Sequence, residues 1–205
     1  ESRKGGPVRN QDFGITSDLL PMEAKLSDRL PDDDDAWQYE PKWDGFRCLA
    51  FKTGSDVELR AKSGKPLTRY FPEVAAMLAG LSAPRFVIDG ELVIEVDGDL
   101  SFVALQMRLH PAETRIGKLS RETPARFILF DILLTPRGVS IINQPLSVRR
   151  RHLEQFLGGV VLRGLVISPY TRDRDVAEGW LRDGRQSTDG VVAKRPRVPT
   201  AVRVR

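Results

Sequence analysis

Two apolar runs, Phe86 to Ile94 (FVIDGELVI) and Phe127 to Leu134 (FILFDILL), are each interrupted by carboxylates. Short runs this rich in Val, Ile, Leu and Phe, bounded by polar residues, read as strands. A carboxylate inside such a run is costly unless it is paired, hydrogen-bonded or bound to a cation. The fold must therefore bring partners to Asp89, Glu91 and Asp131. For Asp89-Gly90-Glu91 two arrangements qualify. One is a cleft where a divalent ion or a ribose hydroxyl meets the acids; the other is a bulge or turn at a sheet edge, with Gly90 supplying the bend.

The remaining pattern mixes short strands with short helices. Trp43 to Lys52 and Val57 to Ala61 read as strands joined by the turn TGSD, and Asp97-Gly98 marks a second hairpin turn. Val74, Met77, Leu78 and Leu81 repeat at helical spacing within 71–81. Ser101 caps a short helix, FVALQMRL. A strand is expected over 126–134, and a helix from Ser147, as cap, to Leu157 before Gly158. Val160 to Ser168 reads as a strand, Arg174 to Leu181 as a helix and Gly190 to Lys194 as a last strand. Strands outnumber helices and several form hairpins, so the expected class is α+β with mainly antiparallel sheets. With 205 residues, 40% of them hydrophobic, the chain suits one domain. Residues 1–20 lack periodicity and read as an extension, leaving 21–205 as the domain.

Composition narrows the chemistry. The longest apolar runs are far too short to cross a bilayer and no apolar signal region leads the chain, so a soluble, cytoplasmic protein without a membrane partner is expected. One cysteine, Cys48, excludes an internal disulfide, and with two isolated histidines, His110 and His152, a metal would need oxygen ligands. Lys and Arg number 32 against 28 Asp and Glu, a net +4 that is compatible with a polyanionic partner. Acids cluster at Asp32 to Asp35, and bases at Arg149 to Arg151 and beyond Lys194. Such runs read as solvated faces. Neither standard phosphate-binding glycine loop is present.

The stretch EPKWDGFR places Lys42 just before an expected strand, with Asp44 two residues on and so on the same side. Lysine is a nucleophile only when neutral, and burial, a neighbouring cation or a metal can lower its ordinary pKa of roughly 10.4 to about 7 or 8. The plainer alternative is a surface lysine paired with a turn aspartate. Phe130 suits the core or a nucleobase platform. Lys194, closing DGVVAK, suits a phosphate contact or a snorkelling surface position.

Lys42-Trp-Asp-Gly-Phe-Arg47 resembles the Lys-x-Asp-Gly-x-Arg motif of covalent nucleotidyltransferases, and FVIDGELV, FILFDILL and DGVVAK follow in the family order. The chain is similar to the adenylation domain of bacterial ATP-dependent DNA ligases, both the stand-alone C type and the ligase module of the D type. The similarity extends through PMEAKLSDRLP, FPEV, LSFVALQMRLHP and ETPARFILFDIL and covers residues 20 to 196. It implies an ATP-grasp-like covalent nucleotidyltransferase fold: antiparallel sheets flanked by helices, with a nucleotide cleft between them. It also implies that Lys42 takes AMP from ATP and passes it to the 5′-phosphate of nicked double-stranded DNA.

The same resemblance assigns roles. Glu40 would help hold adenine, Phe130 would stack on it, Arg47 and Glu91 would contact the ribose region, and Lys194 would meet the α-phosphate. Glu91 and Asp189 would serve Mg²⁺ or Mn²⁺, while Asp44 and Asp89 would orient neighbours. Asp189 stands where the family usually has Glu, and Ala61-Lys62 where it commonly has Ser-Arg, leaving Lys62 as the DNA contact. The implied protein is a monomer near the nucleoid, with end-joining proteins as candidate partners. RPRVPTAVRVR shows neither the next lysine-rich motif nor an OB-fold, so an adenylation domain lacking its OB-fold domain is expected. The alternatives are an mRNA-capping or RNA-ligase relative, and a non-catalytic nucleotide-binding module.

Overall fold

The structure, a computed structural model, describes residues 19–20, 27, 29–31, 36–110, 112–183, 188–198 and 203–204. The expected N-terminal extension lies outside the described residues except for Leu19–Leu20, as do Asp32 to Asp35, most of PMEAKLSDRLP and most of the chain after Val198. In chain order the strands are β1 (Leu19–Leu20), β2 (Gln38–Trp43), β3 (Phe46–Thr53), β4 (Asp56–Ala61), β5 (Arg85–Val93), β6 (Glu95–Val96), β7 (Asp99–Leu100), β8 (Arg126–Leu134), β9 (Leu165–Ile167), β10 (Thr188–Lys194) and β11 (Arg203–Val204). The helices are α1 (Pro72–Ala79), α2 (Phe102–Arg108), α3 (Glu113–Glu122), α4 (Leu146–Leu157) and α5 (Arg174–Asp183).

A five-stranded sheet has the order β4-β3-β5-β8-β9 and is antiparallel except for its β8–β9 pair. Strand β2 pairs with β10, β6 with β7 and β1 with β11, all antiparallel. The mainly antiparallel α+β class expected from the sequence is what forms.

Alternation along the strands divides the main sheet into two faces. Cys48, Ala50, Phe86, Ile88, Leu92, Phe127 and Leu129 point into the main core, where they meet Val74 and Leu78 of α1 and Leu153 and Leu157 of α4. Leu49, Phe51, Val87, Leu133 and Leu134 form a smaller cluster. Arg47, Asp89 and Glu91 share the strand parity of Leu49, Phe51 and Val87. This face is thus apolar along part of its length and charged farther on. Helix α5 packs on β2 and β10, joining Ala177 to Tyr39.

Two of the buried charged groups, Lys52 and Arg108, make their contacts to α1. Lys52, 2% exposed, donates from Nζ to the carbonyls of Ala79, at 2.9 Å, and Leu81. It caps the negative end of α1, and burial lowers its pKa. Arg108, fully buried, grips both Glu73 oxygens at 2.6 and 2.7 Å, and Glu73 also accepts the Ala125 amide at 2.9 Å.

Several expectations are corrected. Trp43 to Lys52 is two strands, because the chain breaks at Asp44-Gly45. A Cβ on Gly45 would lie 2.3 Å from the Leu92 carbonyl oxygen, so only glycine lets the turn sit against β5. Lys42 therefore lies within β2, and strand alternation does not relate it to Asp44. Asp89-Gly90-Glu91 occupies the central strand rather than an edge, although a register shift does fall between Asp89 and Gly90. A Cβ on Gly90 would come within 2.4 Å of the Ile128 carbonyl oxygen.

Ser147 lies inside α4, whose N-cap is Pro145 without a side-chain bond, while the Ser147 amide donates to Pro196. Only Leu165–Ile167 of the expected strand Val160 to Ser168 forms one. Helix α3 was not anticipated, because it buries Ile116 alone among its side chains. Arg149 and Arg150, expected on a solvated face, are 0% and 4% exposed.

Candidate active site

The site is built where the β2–β10 ribbon meets the charged part of the main sheet. Lys42 is the penultimate residue of β2, and its Nζ donates to Asp189 Oδ2 at 2.9 Å, with both side chains half exposed. Asp189 lies where β10 shifts register between Thr188 and Val191, opposite Trp43 and Pro41. Trp43 is anchored through its indole N–H, which donates to Ser168 Oγ at 2.9 Å. The nucleophile candidate is thus a reachable amine on a fixed backbone.

Glu40, two residues earlier, is buried at 2% exposure. It accepts from Lys194 Nζ at 2.5 Å and from Gln38 Nε2 at 2.9 Å. Lys194 Nζ also lies 4.8 Å from the centre of the Phe130 ring, and the Arg47 guanidinium carbon lies 4.3 Å from it. A ring that attracts cations to its π system can also stack a flat base. Arg47 is held by Asp89 through two bonds, Nε to Oδ1 at 2.6 Å and Nη2 to Oδ2 at 2.7 Å. Burial disfavours the Arg47 charge, but Asp89, with Glu91 and Asp131, outweighs this and raises its pKa. Arg47 therefore stays charged and aimed at the ring.

Glu91 is paired in register with Arg47. Burial, reinforced by Asp89 and Asp44, pushes its pKa from 4.5 to about 8 against the pull of Arg47 and Lys42. Asp44 is raised by burial and by Asp189, with Lys42 opposing. These acids share one electrostatic neighbourhood and repel one another. A divalent cation fits there, because the donors are all oxygens and its charge would remove the cost of ionising Glu91. Among the described residues no group of three or more metal-ligating side chains converges. Most ligands would then come from nucleotide phosphates and water, as suits Mg²⁺.

Lys62 is exposed in the turn after β4, where Ala61 pairs with Cys48, next to Arg47. The residue missed by sequence reasoning is Arg149. It donates to Asp131 from Nε at 2.8 Å and from Nη2 at 2.7 Å, and Nη1 donates to the Gln144 carbonyl at 2.6 Å. Asp131 faces Asp89 across β5 and β8, so Arg149 backs the strand that carries Phe130. Burial raises the pKa of Asp131 while Arg149 opposes it. A signal was available in the sequence: Leu146, Arg149, Arg150, Leu153 and Leu157 share the inward stripe of a helix.

A family model described as an ATP dependent DNA ligase domain matches residues 21–201. The chain belongs to that family. This ligase domain is 39% identical over 186 residues to DNA ligase C2 of Mycolicibacterium smegmatis, covering 89% of the chain and 51% of that relative. It is 40% identical over 184 residues to DNA ligase C of Mycobacterium tuberculosis, covering 88% of the chain and 50% of that relative. In three dimensions it resembles a mycobacterial DNA ligase D complexed with ATP and MES, with a TM-score of 0.74 and 26% identity over 91% of this chain and 57% of that one. The domain spans about half the length of the curated relatives it matches. Among its described residues no helix is long and apolar enough to cross a membrane.

Proposed function

We propose that this domain performs the nucleotide-activating half of ATP-dependent DNA ligation, with Lys42 as nucleophile. The observation that carries the proposal is the convergence of a reachable lysine, a cation-flanked aromatic ring and mutually repelling carboxylates at the junction of the two sheets. The neutral Lys42 amine attacks the α-phosphorus of ATP; a nitrogen–phosphorus bond forms, the bond to the bridging oxygen breaks, and pyrophosphate leaves. Asp189 already accepts a hydrogen bond from Lys42 and so limits where the amine sits. Phe130 stacks adenine, Glu40 reads its edge, and Arg47, fixed by Asp89, supports the ribose. Lys194 moves from Glu40 to the α-phosphate, where it offsets developing charge. Glu91 and Asp189 would hold a divalent ion, Mg²⁺ or Mn²⁺, which would supply charge neutralisation on the phosphates. AMP then passes to the 5′-phosphate of nicked duplex DNA, with Lys62 touching the backbone.

The test is incubation with radiolabelled ATP or GTP and Mg²⁺ or Mn²⁺, followed by denaturing electrophoresis. Label from ATP on wild type, absent from Lys42→Ala, is expected. Label from GTP alone, or label retained on Lys42→Ala, would overturn the proposal.

A further inference from the structure

A cavity of about 190 Å³ opens between α4, the start of β2 and the segment after β9. Gln38 and Arg150, both buried, line it together with the more exposed Arg151, Arg172, Tyr170 and Glu154. Ser147 completes the wall. Gln38 touches the site around Lys42 through its bond to Glu40, and Arg150 is linked to it through Ser168, which anchors Trp43. Three arginines against one glutamate leave the lining with two net positive charges.

The central group is Arg150. Its Nε donates to Glu154 Oε1 at 2.9 Å, its Nη2 donates to the Ser168 carbonyl, and its guanidinium lies 4.9 Å from the centre of the Tyr170 ring. The remaining nitrogen, Nη1, is buried and has no hydrogen-bond partner. A buried charged donor without an acceptor is costly, and an acceptor on a bound ligand removes that cost. Neither Arg151 nor Arg172 has a partner among the described residues. Arginine donors match phosphate oxygens well. The cavity is smaller than the roughly 300–1,000 Å³ of sites for whole organic ligands, so it suits a single phosphate-sized group.

We infer that this cavity is a second phosphate site, distinct from the nucleotide site at Lys42, which takes either a free phosphate or pyrophosphate ion or one backbone phosphate of a nucleic acid. Arg151 and Arg172 draw the anion in, and Arg150 with Tyr170 forms its seat. The assignment stands independently of the role given to Lys42.

The test is calorimetric titration of wild type and of an Arg151→Gln/Arg172→Gln double variant. Sodium pyrophosphate is one titrant and a short nicked duplex, at several salt concentrations, is the other. Both substituted side chains are exposed, and an unchanged circular-dichroism melt confirms the fold. A loss of at least tenfold in pyrophosphate affinity assigns the site to the free ion. A similar loss for the duplex, with the slope of log K against log salt reduced by about one, assigns it to a backbone phosphate. Equal affinities of the two proteins for both titrants, or no saturable binding of either titrant to wild type, would overturn the inference.

Discussion

The helical layer and the junction of the two sheets both carry buried or half-buried charge, yet they satisfy it differently. Beneath α1 and α2, Lys52 ends on two carbonyls and Arg108 on both oxygens of Glu73, so each charge is matched by the fold itself. At the junction, Glu91 is pushed to a pKa of about 8 and Lys42 meets Asp189 in solvent. The first region spends its charges on holding helices to the sheet. The second pairs Lys42 with Asp189, Arg47 with Asp89 and Lys194 with Glu40, but crowds Asp44 and Asp89 around the partly buried Glu91, as suits a site for a charged ligand. The acids crowded at the junction mark function, whereas Lys52 and Arg108, satisfied by helix carbonyls and Glu73, mark architecture.

That contrast can be broken by mutation. The largest expected effect is Lys42→Ala, which should lower AMP labelling at least a thousandfold. Removing one half-exposed ion pair should change stability by less than about 1 kcal/mol, as checked by urea denaturation. Arg108→Ala should do the reverse. It strands Glu73 and should cost about 3–5 kcal/mol of unfolding free energy, with AMP labelling per folded molecule unchanged.

Glu91→Gln sharpens the comparison through pH. The folded pKa of Glu91, about 8, lies above its ordinary 4.5, so the folded state keeps a proton that the unfolded chain has lost. Its stabilising contribution is fully present below pH 4.5 and is lost as pH rises through 8. The glutamine variant should therefore be more stable than wild type at pH 8, by about 2 kcal/mol after allowing for partial exposure, and should lose less stability between pH 5 and 8. Saturating Mg²⁺ with ATP should narrow the difference. The smallest effect is expected for Lys62→Ala: AMP labelling within twofold and stability within about 0.5 kcal/mol, with only duplex affinity reduced.

Much of this arrangement was legible in the sequence because acids inside apolar strands have few solutions. Asp89, Glu91 and Asp131, set inside apolar runs, announced that partners must exist. The partners were harder to name. Arg47 could be placed beside Glu91 only once β3 and β5 were in register, and the break at Gly45 depends on the close approach of Leu92, 47 positions later in the chain. Arg149 was hidden by composition: in a run of three arginines it read as surface, although its spacing from Leu146 and Leu153 points inward. Helix α3 left almost no apolar stripe to read, since Ile116 alone is buried.

Peptide mapping by tandem mass spectrometry after incubation with ATP and Mg²⁺ tests the central claim most directly, because it compares lysines that differ mainly in surroundings. AMP on the peptide containing Lys42, with Lys52 and Lys194 unmodified, is the expected result. AMP on Lys194, or on no lysine at all, would contradict the account.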